Sequence, residues 1–366
     1  MTLTSSEDRT YRASLDFFLG PLVPLLDDES VSEIMVNGPG HVFVERKGRI
    51  ERADVRFRDE KELRAAANNI AQFVGKTIDD EHPILDGRLE DGSRVAIVLH
   101  PLSAHGTSIN IRRFSKKAQT PEFLLDVKSM TPEALEFVSL AVRAHLNVVV
   151  SGGTGSGKTT LLNILSHYFE DNERVLIIED TRELQVEKQH VVQMEARAPD
   201  AYGRGEVSVR DLFIASLRMR PDRIVVGEVR RGEALDMIQA MTSGHRGSLA
   251  TLHADTPAQA CGRIETMALL ADIGIPLTAL RRQIALALDL VVQAARLTNG
   301  RRLVTHISEV ELDAQTDNYV VNDIFALDKS GPEPTLKWTG RRPKLAEDIR
   351  WLGLADDVKH TSEILK

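Results

Sequence analysis

The sequence predicts an α/β fold in which a larger domain, built on a covered and mainly parallel sheet, follows a smaller α+β N-terminal domain. Two observations carry this reading. Beyond Pro132, short apolar runs at residues 147–150, 175–178, 223–226 and 248–252 alternate with segments of helical spacing, the pattern of a parallel sheet with both faces covered. Before Pro132, strand-like and helix-like segments follow one another without regular alternation. A chain of 366 residues has room for both domains, each with a core of its own.

Taken in order, residues 15–26 are apolar but interrupted by Gly20, Pro21 and Pro24, which reads as a short helix followed by a turn. Residues 32–38 and 41–50 read as strands, with Asn37-Gly38 and Lys47-Gly48 as hairpin-type turn signals. Leu63, Ala66, Ala67, Ile70, Ala71 and Val74 are spaced for an amphipathic helix over 59–74 that Asp59 is placed to cap. Strands follow at 95–99 and 107–111, and residues 115–132, with two prolines, read as a linker. The first domain is therefore set at residues 1–130. A helix over 133–144 leads to the strand at 147–150, a glycine-rich loop and a helix over 159–168. Segments at 291–295, 304–311 and 319–325 alternate and read as added strands, which sets the second domain at 131–330 and leaves 331–366 as a polar tail.

Hydrophobic residues at 42% and charged residues at 27% argue against disorder and against a coiled-coil rod. With 46 Lys and Arg against 54 Asp and Glu, the net charge of −8 speaks against an electrostatic nucleic-acid binder, so basic surface is local. The single cysteine, Cys261, excludes an intramolecular disulfide and a thiolate-rich zinc site, and fits a reducing compartment. Residues 1–12 are polar and charged, unlike a secretory signal, and apolar stretches such as 284–288 fall far short of the ~20 residues that span a bilayer. The expectation is a cytoplasmic chain whose membrane association, if any, is through a partner.

Gly152, Gly153, Thr154, Gly155, Ser156, Gly157, Lys158 and Thr159 satisfy G-x-x-x-x-G-K-[ST] between a predicted strand and a predicted helix, the context of a phosphate-binding P-loop. Its glycines let backbone N–H groups close around phosphates and the helix N-terminus adds its dipole. Lys158 neutralises β/γ charge, Thr159 reaches Mg²⁺, and Thr160 follows in the same nucleotide-binding set. A chance match in a chain of this size is on the order of one per cent. Two acids stand where parallel strands end, Glu179 after residues 175–178 and Glu228 after 223–226 and Gly227. Such acids bind Mg²⁺ or polarise the attacking water. Glu228 is the candidate for the metal, with Gly227 allowing close approach, and Glu179 the candidate for orienting water. Asp180 admits two readings, one beside the metal and one as the cap of a helix opening at Thr181. His253 closes the run 247–254; a lone histidine after a strand is more often structural than functional. Arg112 and Arg113 with Lys116 and Lys117 read first as a solvated basic face, and Arg88 and Arg94 carry no signal in isolation.

The ordered string of motifs resembles the secretion-ATPase superfamily of type II and type IV secretion and type IV pili. The likeness rests on the P-loop, an acidic box at 177–184, an atypical Walker B at 218–230 and a histidine box at 247–254. Residues 31–38, 42–48 and 232–237 look most like the CpaF-type ATPase of tight-adherence (Tad/Flp) pili. The resemblance implies a recombinase-like P-loop motor domain and a mobile N-terminal domain, assembled as a homohexamer that hydrolyses ATP with Mg²⁺. It also implies docking on inner-membrane platform proteins at the cytoplasmic face of the inner membrane, without direct nucleic-acid binding. On it, Lys158, Glu179, Glu228 and His253 are catalytic, His253 as a γ-phosphate sensor, while Arg94, Arg112 and Arg113 become candidates for reaching the phosphates. Arg246 departs from an acidic or neutral residue before the histidine box, and 254–257 varies an Ala-Asn-Ser-Pro pattern. A type IV secretion or conjugation motor shares every catalytic motif and is the alternative; a recombinase-like DNA-dependent ATPase and a small-molecule kinase are further rivals. A type II motor with a four-cysteine zinc module is excluded by Cys261 standing alone.

Overall fold

The computed structural model describes residues 19–46, 48–89, 91–113, 120–199, 203–313, 315–356 and 358–366. Contacts divide the chain into two units, Met1–Lys117 and Ala118–Lys366. Lys47, Lys116 and Lys117 lie outside the described residues.

The first unit opens with a 3₁₀ turn at Gly20–Leu22 and the short helix α1, Val23–Asp27. Pro21 and Pro24, read as interruptions, sit instead in the first turns, where proline's fixed φ and missing N–H are no handicap. Strands β1 (Val31–Asn37), β2 (Val42–Arg46) and β3 (Arg49–Arg52) form a meander. Gly38 holds φ 90°, and a Cβ there would stand 2.1 Å from the carbonyl oxygen of His105. Helix α2, Glu60–Phe73, is capped as expected, the Glu62 amide donating to Asp59 at 2.9 Å. It buries Leu63, Ala66, Ala67, Ile70 and Ala71. The sheet is completed by β4 (Ile84–Arg88), β5 (Arg94–Val98) and β6 (Ser108–Arg112), in the order β3-β2-β1-β6-β5-β4. Strand β4 escapes the sequence reading because Asp86 and Gly87 break its apolar run. Ile34, Val36, Val95, Ile97, Ile109 and Ile111 share one core with α2.

The second unit begins with α3 (Pro121–Asp126), inside the expected linker, whose Leu124 joins the unit's core. There follow α4 (Pro132–Arg143), β7 (Val148–Gly152), α5 (Lys158–Ser166), β8 (Val175–Glu179), β9 (Val191–Glu195), α6 (Val209–Ser216) and β10 (Arg223–Val226). Next come α7 (Glu233–Thr242), β11 (Leu249–Leu252), α8 (Pro257–Leu269), α9 (Leu277–Ala287) and β12 (Leu290–Arg296). The last elements are β13 (Arg302–Leu312), β14 (Tyr319–Asp328), β15 (Thr335–Trp338) and α10 (Ala346–Trp351). Among the described residues the sheet runs β15-β14-β13-β12-β7-β11-β10-β8-β9. It is parallel from β12 to β9 and antiparallel from β12 to β15. Val148 and Val150 enter one core while Val149 enters the other, so β7 is covered on both faces, as its unbroken apolar run requires.

Residues 331–366 are not a polar tail. Strand β15 extends the sheet, and Leu336, Leu345, Ile349, Ile364 and Leu365 are buried in the core of the second unit. The Glu136 carboxylate accepts the amides of Lys359, His360 and Thr361, each at 2.8 Å, and the Thr361 hydroxyl at 2.8 Å. Glu309 accepts the amides of Lys344 and Leu345 at 3.1 and 2.9 Å. The apolar anchors are too widely spaced to show a period, which hides them from sequence. Among the described residues no helix is long and apolar enough to cross a membrane.

Candidate functional site

The glycine-rich loop joins β7 to α5 as the motif requires. Gly155 and Gly157 adopt φ of 69° and 95°, and Gly157 precedes the first helical residue, Lys158. In a loop of this kind the N–H groups of the loop and of the helix N-terminus are the donors available to an anion. Lys158 is 8% exposed. Its Nζ donates to the carbonyls of Gly152 and Gly153 at 3.0 Å each and lies 3.5 Å from His253 Nδ1. Burial pushes its pKa below the ordinary lysine value. Thr160 lines a recess of about 180 Å³ with Ser156, Gly157, Leu161, Phe123 and Leu303.

From Lys158 a chain of polar side chains crosses the strand ends. His253 follows β11, and its Nε2 lies 3.1 Å from Glu228 Oε1. The other oxygen, Oε2, accepts from Arg230 Nη2 at 2.7 Å, while Arg230 Nη1 donates to Asp180. Burial alone would raise the Glu228 pKa; the hydrogen bond from Arg230 and the charges of Arg230, His253 and Lys158 outweigh it and hold the carboxyl down. His253 is pushed down by burial and by the Lys158 charge. Parallel neighbours β11, β10 and β8 end at this rim, which is why residues far apart in sequence meet here.

Glu179 takes another position. It is 2% exposed, and its Oε1 accepts the amides of Glu183 and Leu184 at 2.8 and 2.9 Å. Through these two bonds it orders the acidic box. Glu183, which it places, stands with Oε2 3.4 Å from Thr159 Oγ1. Gly227 is bare for the sake of Glu179: a Cβ there would stand 2.8 Å from Glu179 Cγ. No helix opens at Thr181, so Asp180 is a partner of Arg230 and not a cap. Sequence reading missed Arg230 and Glu183; the available signal was their place two and four residues beyond a strand-end acid.

In the first unit, β1, β6, β5 and β4 set Glu33, Arg112, Arg94 and Arg88 directly opposite one another. The arginines form one row on the face away from Val95, Ile97, Ile109 and Ile111, with Arg112 Nη2 3.5 Å from Glu33. Arg113 does not join them. Its Nη1 donates to the carbonyls of Asp28 and of Val31, the latter at 3.3 Å, and its amide to Ser32 at 3.0 Å. These bonds tie the end of β6 to the turn before β1 and to the start of that strand.

A family model described as type II/IV secretion system protein matches residues 18–330. The chain belongs to the type II/IV secretion system protein family. The type IV secretion system protein VirB11 of Brucella suis is 35% identical over 333 residues, covering 83% of this chain and 91% of that protein. A Mycobacterium tuberculosis protein, provisionally named a conjugal transfer protein, is 36% identical over 295 residues, covering 79% and 83%. The solved structure of the Legionella pneumophila ATPase DotB, 21% identical, shares the fold with a TM-score of 0.57 over 82% of each chain. The N-terminal domain followed by a P-loop motor domain is thus the architecture of this family. Its departures here have structural uses. Arg246 reaches Asp289 at 3.2 Å and Asp348 at 3.9 Å, tying the entry of β11 to the C-terminal segment. Thr256 caps α8 by accepting the Gln259 amide at 3.2 Å.

Proposed function

We propose that the chain is a Mg²⁺-dependent ATP hydrolase that drives a type IV secretion or conjugation machine. The observation that carries the hydrolase reading is the unbroken run from Lys158 through His253, Glu228 and Arg230 to Asp180 around a glycine-rich loop. When ATP enters, its β/γ charge competes with the Gly152 and Gly153 carbonyls for the Lys158 ammonium. The loop and α5 N–H groups bind phosphate oxygens. Glu228, kept ionised by Arg230, accepts the proton of the attacking water, and His253 links that carboxylate to Lys158, the arrangement of a sensor. The oxygens of Thr159, Glu183 and Glu228 are hard donors that suit Mg²⁺, a cation held by few protein ligands together with phosphate. When bound, it neutralises charge on the phosphates. Arg94 and Arg112, with Arg88, are the first unit's candidates for reaching the phosphates, since the register of β4, β5 and β6 sets the three in one row.

The conjugation and type IV secretion reading is supported by the names of relatives 35–36% identical, and it displaces the tight-adherence pilus reading drawn from residues 31–48 and 232–237. Work is coupled to a membrane machine through partner proteins at the cytoplasmic face, with six copies of this chain in a ring. Phosphate release from Mg²⁺ and ATP, without acceptor or DNA, tests the hydrolase. The parent chain turns over and Lys158→Ala does not, while circular dichroism of the two coincides; equal release by the folded variant removes the P-loop assignment.

A further inference from the structure

The β12–β13 hairpin closes on the P-loop from outside at three of its glycines. Gly152 pairs with Ala294, and a Cβ on Gly152 would stand 2.4 Å from the Ala294 carbonyl oxygen. Arg296 and Arg302 are directly opposite one another in the hairpin. Arg302 Nε donates to the carbonyl of Gly155 at 2.9 Å, and its Cδ lies 3.4 Å from where a Cβ on Gly157 would be. Arg296 Nη1 lies 3.2 Å from the corresponding point on Gly155. The glycines of the motif therefore serve this hairpin as well as any phosphate. Beside Lys158, the hairpin thus brings two further cations, Arg296 and Arg302, to the outer side of the loop.

Resting on the nucleotide reading above, we propose that Arg302 is a positioning residue that fixes the P-loop for polyphosphate through its Nε–H bond to Gly155. A loop with two left-handed glycines has many conformations when empty, and each must be given up when its amides converge on phosphate. The bond from a charged donor orients the peptide after Gly155 in advance, so that less freedom is lost on binding. Once phosphate fills the loop, its own contacts hold the same conformation. Arg302 therefore acts on nucleotide affinity more than on turnover at saturation.

Calorimetric affinities for ADP, a non-hydrolysable ATP analogue and AMP, measured on the full chain and three variants, decide the matter. Arg302→Ala weakens ADP and the analogue about tenfold alike, leaves AMP within about twofold and raises KM more than it lowers kcat. Arg302→Gln carries Nε2 at the place of the arginine Nε and restores most of the affinity without a charge; Arg302→Lys does not. Recovery in the lysine variant and not in the glutamine variant overturns positioning in favour of a direct charge on phosphate. An alanine variant that matches a parent of measurable ADP affinity overturns the proposal alone, whereas a parent that binds no ADP overturns the nucleotide reading together with it.

Discussion

At Glu228 both carboxylate oxygens are engaged, one by His253 and one by Arg230, and removing either partner leaves a half-buried charge with less to hold it. Arg230→Ala is expected to lower kcat about tenfold or more with KM changed little, because the carboxylate loses its orientation and not the nucleotide its seat; Arg230→Lys recovers part of the loss. Glu179→Gln keeps the Oε1 that accepts two amides, so the same steady-state assay should find it far closer to the parent than Arg230→Ala. Lys158, Glu228 and His253 were legible in sequence because each sits at a fixed place in a motif. Arg230 closes the Walker B run, but its role is not legible there, since its second partner, Asp180, arrives from the end of a strand 50 residues earlier. Arg112 and Arg113 were read as a pair, whereas neighbouring residues of an extended chain point to opposite sides. Only the register of β4, β5 and β6 reveals the row that Arg112 forms with Arg94 and Arg88.

The parallel strands were legible as elements, from their apolar runs and the loop between them, but the burial of Arg223 at the start of β10 was not. Its Nε and Nη2 bond Glu173 at 2.6 and 2.9 Å, His145 Nε2 adds a contact at 2.8 Å, and the guanidinium lies 4.7 Å from the Phe169 ring centroid. Burial alone would raise Glu173, but the bonds from His145 and Arg223 prevail and hold its pKa at about 2, below the ordinary 4.5. The unfolded chain therefore takes up this proton first as pH falls. The stability contributed by Glu173 is fully present above about pH 4.5 and is lost between there and about pH 2. Arg223→Met leaves the acid without its main partner and is expected to cost about 3–5 kcal/mol in urea unfolding at pH 7. The deficit should shrink as pH falls below the ordinary carboxyl value; a deficit that grows on acidification contradicts this account of the β8–β10 junction. Strands β9 and β15 and helix α10 were missed for a simpler reason: spans of five, four and six residues are too short for a period to stand out from their polar surroundings.

For the whole molecule, family membership rests on a match across residues 18–330, while residues 331–366 lie beyond it and complete the motor core. Light scattering with ATP analogue and Mg²⁺ should approach six times the chain mass of 40.6 kDa; a strict monomer across the micromolar range would count heavily against a ring motor. The central claim, that the run from Lys158 to Asp180 hydrolyses ATP through Glu228, is tested most directly by Glu228→Gln, which keeps the side chain's shape and removes its charge. Single-turnover hydrolysis and nucleotide affinity are to be measured on the same preparation. The account predicts ATP bound within about threefold of the parent affinity and cleavage slowed by about a hundredfold or more. Cleavage at the parent rate by a variant that binds ATP would show Glu228 to be a structural acid and contradict the account.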